Sequence, residues 1–130
     1  MRIVRRPLDR PAANDPVASA KMLALHGAWR VASRTLAVAE QELLARSPQF
    51  RGIGLQGAVD VEYRLLRLLE LLPSRATEIM LHPGYDDPVL AAQDPYRHER
   101  ERELAALKSA LVRERLTRGD IRLITFGDLV

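Results

Sequence analysis

An α/β fold with parallel strand pairing is what this sequence predicts, in the form of a partial (β/α) barrel with three to four strands and three main helices. Short β-branched segments alternate with longer segments whose apolar residues recur every three or four positions, the pattern of strands joined by crossover helices. Proline or glycine marks the junctions between them. The 130 residues fall short of a closed eight-stranded barrel, which typically takes about 250 residues, so 1–130 reads as a single domain resembling part of something larger.

The first strand is Arg2-Ile3-Val4-Arg5-Arg6, stopped by Pro7 and followed by a loop to Asn14. Asp15-Pro16 supplies an N-cap and a proline at the first helical position. A helix then runs to about Arg46, with Met22, Leu25, Trp29, Ala32, Leu36, Ala39 and Leu43 in one stripe. A coiled-coil seam is the alternative, but alanine within the stripe and apolar residues outside it favour packing inside the domain. Ser47-Pro48 ends the helix. Gly52, Gly54 and Gly57 around Ile53 and Leu55 suggest a short strand with a tight loop. Their spacing fits neither a phosphate-cradling loop nor a dinucleotide fingerprint, so these glycines serve backbone turns.

A second helix covers roughly Asp60 to Leu72, with Val61, Leu65, Leu68 and Leu72 on one face and Leu66, Leu69 and Leu71 widening it. After Pro73-Ser74, the strand Thr77-Glu78-Ile79-Met80-Leu81 runs into His82 and is broken by Pro83-Gly84. Asp94-Pro95 repeats the cap logic of Asp15-Pro16 and announces a third helix, carrying Leu104, Leu107 and Leu111 to about Arg118 with a break near Ser109. Gly119-Asp120 stops it, and Ile121 to Phe126 forms the last strand.

Composition narrows the function. The chain is 47% hydrophobic and 28% charged, ordinary for a folded soluble protein. No apolar run is long enough to span a membrane and the amino terminus has no secretory pattern, so the expected location is the cytoplasm. The absence of cysteine removes disulfides and thiolate metal sites. The net charge of +3 comes with arginines that alternate with acids, as in Arg97-His98-Glu99-Arg100-Glu101-Arg102-Glu103. That is a mixed-charge face with few aromatics, not a nucleic-acid stripe.

Of the three histidines, His26 lies beside the apolar stripe of the first helix and His98 belongs to the charged face. His98-Glu99 meets Arg102 where a zincin helix needs a second histidine. His82 is the candidate catalytic residue, because strand tips in parallel α/β folds are where chemistry gathers. A histidine there can serve as a general acid for a leaving amine. The bland reading, in which it ends the strand and bonds a nearby carbonyl, stands beside this one. Tyr85, Asp86 and Asp87 follow in the same loop and could orient the imidazole or hydrogen-bond a polyol. Asp86 and Asp87 could also bind a hard cation, although Asp87 before Pro88 is typical of a cap.

The segments Thr77 to Tyr85, Tyr96 with Arg100 to Leu104, and Gly119 with Ile121 to Leu129 resemble the carboxyl-terminal half of the YdjC-like carbohydrate deacetylases, most closely the hopanoid-biosynthesis-associated branch called HpnK. Arg5-Arg6-Pro7-Leu8-Asp9 is similar to that family's Arg-x-Pro-x-acid strand, and Phe50-Arg51-Gly52-Ile53 to its Phe-x-Gly-x loop. The resemblance implies a distorted (β/α) barrel that removes N-acetyl groups from amino sugars with a divalent metal, Mg or Zn. It also implies His82 as the active-site histidine and Arg5 as a substrate-side arginine; Tyr85, from its place in the loop after His82, is the other candidate substrate-binding residue. The family's Asp-Asp-Phe-Gly segment and its two histidine-bearing strands, which carry the metal ligands, have no counterpart in this sequence. The expectation is therefore a chain inactive alone, holding no metal tightly and pairing with a missing half or with itself. A non-catalytic α/β binding module is the alternative.

Overall fold

The computed structural model describes residues 16–34 and 48–129. The expected first strand with Arg5, the loop after it, the Asp15 cap and the helix beyond Arg34 lie outside the described residues. The chain divides into two compact units, Met1–Gln56 with Leu72–Leu81 and Gly57–Leu71 with His82–Val130. Its architecture is α/β, with five helices and a two-stranded parallel sheet, not closed, among the described residues. No helix among them is long and apolar enough to cross a membrane.

In the first unit, α1 (Pro16–Arg34) opens on the expected proline and packs on a 3-10 turn at Ile53–Leu55. Met22 and Leu55 are buried, whereas Leu25 is exposed and Trp29 and Ala32 are half-buried. Strands β1 (Gln49–Arg51) and β2 (Thr77–Ile79) pair in parallel, with Phe50 opposite Glu78. Gly52 follows β1 with φ +106°, and a Cβ there would meet the Met80 carbonyl oxygen at 2.4 Å and its nitrogen at 2.7 Å. Glycine is therefore required twice, by the left-handed backbone and by the close approach of the neighbouring chain.

In the second unit, α2 (Val61–Glu70) packs against α4 (His98–Lys108) and α5 (Ala110–Thr117). Val61, Leu65 and Leu69 recur every four residues and are buried, each contributing roughly 1.5–3 kcal/mol. The short helix α3 (Pro88–Ala91) is capped by Asp87, whose carboxylate accepts from the amides of Val89 and Leu90. Ser109 separates α4 from α5 at the expected break, with an extended backbone and a hydroxyl that accepts from the Val112 amide. Gly119, at φ +88°, ends α5.

Four expectations are corrected. The strand before His82 stops at Ile79; the Met80 amide makes one more bond, to the carbonyl of Arg51, the last residue of β1. The third helix begins at His98 and not at Asp94-Pro95; the Asp94 carboxylate accepts from the Tyr96 amide, as a cap would, and from the Arg100 guanidinium, but the helix opens only after Arg97. Residues 121–125 form no ladder, and a 3-10 turn at Phe126–Leu129 follows, closed by Asp128 accepting from the Thr125 amide and hydroxyl. Two of the expected strands are thus present among the described residues, and the first expected strand lies outside them. Finally, α4 and α5 bury Glu103, Ala106, Val112 and Arg115, while Leu107 and Leu111 are exposed. The buried face carries charge because each charge finds its partners inside the unit.

Candidate functional site

The loop 82–87 lies along α4 in the second unit, and its backbone explains how. The amides of His82, Gly84 and Asp86 donate respectively to Glu103 Oε2 at 2.5 Å, the Arg100 carbonyl at 3.3 Å and Glu101 Oε1 at 3.2 Å. Every second N–H therefore finds an acceptor on the helix, as it would on a neighbouring strand. A Cβ on Gly84 would lie 3.5 Å from Arg100 Cδ, so the loop runs close to the helix surface. Arg97 grips the far end with two bonds to Asp86, at 2.7 and 2.8 Å. That bond holds the Asp86 carboxyl below its ordinary range.

His82 sits at the centre of this arrangement, its side chain 31% exposed. Its ring meets Tyr96 edge-on, with centroids 5.8 Å apart and an interplanar angle of 73°. Its Nδ1 is buried without a hydrogen-bond partner among the described residues and lies 3.9 Å from Glu103 Oε2. Glu103 is 1% exposed and accepts from the Tyr96 hydroxyl through its other oxygen. The same hydroxyl accepts from the Gly57 amide at 2.6 Å.

Tyr96 is fixed from several sides. Its amide donates to Asp94, its carbonyl accepts from Arg100 Nε at 2.8 Å, and the Arg100 guanidinium lies 5.5 Å from its ring centroid. Burial, reinforced by the bond to Glu103, pushes its phenol up to about 12. The bond from Arg100 lowers the Asp94 carboxyl from its ordinary range.

The other candidates from the sequence are placed elsewhere. Tyr85 is exposed and engaged by Lys108, which donates to its hydroxyl at 2.8 Å and sits 5.2 Å from its ring centroid. Asp86 serves Arg97, Asp87 caps α3, and Arg5 lies outside the described residues. His26 bonds the Met22 carbonyl through Nδ1, and His98, 75% exposed, stands 3.8 Å from Asp86. Glu103 is the residue that sequence reasoning passed over, counted within a mixed-charge face. The one signal available was its three-residue spacing to Ala106, and a carboxylate does not register in an apolar pattern.

Among the described residues no three His, Asp or Glu side chains converge as metal ligands. Glu103 and His82 alone do not fit a divalent cation, so no step of chemistry is assigned through one here. An imidazole with one edge against a buried carboxyl is suited instead to handing over or receiving a proton.

No curated protein and no solved structure matches the chain. The family model described as YdjC-like protein matches residues 1–118, and the chain belongs to that family.

Proposed function

We propose that this YdjC-like chain is the carboxyl-terminal portion of a metal-dependent deacetylase acting on N-acetyl amino sugars, of the hopanoid-associated branch, with His82 as its general acid. The observation that carries the reading is the placement of His82, whose partly exposed ring is held by a loop fastened along α4. Once water has added to the acetyl carbonyl, an imidazolium there protonates the nitrogen of the tetrahedral intermediate as the C–N bond breaks and its electron pair moves to nitrogen, releasing the amine and leaving the acyl group as acetate. Arg5 and Tyr85 act on the substrate side, Tyr85 by hydrogen-bonding sugar hydroxyls. The parallel pairing of β1 and β2 supports a partial (β/α) barrel, and the reading takes 1–130 as one domain. The chain by itself is inactive, because the family's metal-bearing segments have no counterpart in its sequence.

The test combines the chain with the amino-terminal half of a YdjC-like relative and follows acetate release from acetylated amino sugars with Mg²⁺ or Zn²⁺. Release is expected only from the combination, and His82→Ala lowers it about 100-fold or more. Turnover by the chain alone rejects the inactivity, and undiminished turnover by the variant rejects the role of His82.

Exposed Leu111, Leu123 and Phe126 favour a second reading, a non-catalytic module that pairs with itself or another chain. A monomer in sedimentation at high protein concentration removes the self-pairing form of it.

A further inference from the structure

We propose that Glu103 is the positioning residue for His82, its Oε2 receiving the imidazole Nδ1–H and so keeping Nε2 as the nitrogen that exchanges protons. This rests on the reading of His82 as the proton-transfer group, but its geometry stands apart from any assay. Glu103 is buried, and both its oxygens are already oriented, one by the Tyr96 hydroxyl and the other by the His82 amide. The carboxyl therefore cannot turn away without abandoning one of those donors. A carboxylate oxygen has room for a second bond, and Oε2 is 3.9 Å from the buried Nδ1, which has no hydrogen-bond partner among the described residues. A turn of the imidazole of roughly 1 Å at Nδ1 brings the two to hydrogen-bond distance.

The surroundings limit any larger swing. Tyr96 stands edge-on to the ring and is itself held by Gly57, Asp94 and Arg100. A carboxylate accepts but does not donate, so the bond selects the neutral tautomer with the proton on Nδ1. The second proton of the imidazolium then resides on Nε2. The amide of His82 and its ring thus answer to one carboxyl, which sets both where the residue stands and which nitrogen it presents.

The experiment is long-range ¹H–¹⁵N correlation of the intact labelled chain at mildly alkaline pH, with the three histidines assigned by single His→Gln variants. Two internal references are available: His26, whose Nδ1 lies 2.8 Å from the Met22 carbonyl and must donate to it, and the exposed ring of His98. His82 is expected to match the Nδ1–H pattern of His26. In Glu103→Met, which removes the acceptor, its tautomer ratio is expected to move several-fold toward Nε2–H, with His26 and His98 unchanged. An Nε2–H tautomer for His82 in the native chain, or an unmoved ratio in folded Glu103→Met, overturns the proposal. If Glu103→Met does not fold, the native-chain tautomer still decides. If His82 proves dispensable for deacetylation while its tautomer depends on Glu103, the functional reading fails and the positioning stands.

Discussion

Glu103 on α4 and Arg115 on α5 are the buried charged side chains of the second unit among the described residues, and they are satisfied in opposite ways. Arg115 is surrounded by acceptors: both Asp120 oxygens at 2.7 and 2.9 Å, the Leu69 carbonyl at 3.0 Å and Glu70 at 2.9 Å. It thereby ties the last turn of α2, where carbonyls lack intrahelical partners, to the end of α5. Glu103 is met by a phenol, a backbone amide and an imidazole edge that stops short of bonding it. Charge answered by charge makes a closed fastening. A carboxyl answered by neutral donors, with a histidine edge beside it, leaves one of its acceptor positions open.

The sharpest way to break this contrast is to remove each charge in turn. Glu103→Ala strands the Tyr96 hydroxyl and the His82 amide and is expected to cost on the order of 3 kcal/mol in denaturant melts. Arg115→Met is expected to cost less, since Asp120 and Glu70 are exposed and return to water while the methionine fills the space. Equal losses would erase the distinction.

Tyr96→Phe comes next, at roughly 1–2 kcal/mol, because the Gly57 amide and Glu103 lose a partner together. The native phenol is raised from 10.0 to about 12, so the folded chain holds that proton longer than the unfolded one. Its contribution is whole below the ordinary value and is lost as pH rises toward about 12. Ultraviolet titration should show a late phenol step that Tyr96→Phe deletes; persistence of the step would assign it to another tyrosine.

Ser109 joins the two helices that carry the contrasted residues, and Ser109→Ala removes the cap on Val112 for about 1 kcal/mol, read as a lowered midpoint of unfolding. The smallest effect is at acid pH. Arg115 holds the Asp120 carboxyl below its ordinary range, so that contribution is whole above the ordinary carboxylate value and fades as pH falls through the depressed one. Asp120→Asn should flatten the acid limb of the melting temperature against pH, and an unchanged limb would place the titration elsewhere.

The contrast also measures what the sequence could reveal. The second helix with Val61 and Leu65 on its buried face, the break at Ser109, the glycine stop at Gly119 and the parallel class were legible because each depends on local period or backbone chemistry, although Leu69 is buried where Leu68 and Leu72 were expected. The strand expected at 121–126 was not, since a β-branched run needs a neighbour that no local pattern reports. His82 was found through its place after a strand, and Tyr96 through resemblance alone. The buried faces of α4 and α5 were missed by one residue. Leu107 and Leu111 carry the apolar signal, but Glu103 and Arg115 carry the contacts. Pattern reading assumes that burial selects apolar groups, and that assumption fails where a buried charge is met by polar partners.

The alternating amides of the loop along α4 have one more consequence, which concerns proline. His82, Gly84 and Asp86 supply N–H groups to the helix, and Pro83, which has none, falls in the silent phase between two of them. Inserting one residue ahead of Pro83 would move it into a donating position and leave the helix facing a ring where it needs an amide. The length of this segment is therefore counted in units of two, and tolerated insertions or deletions here should come in pairs or not at all.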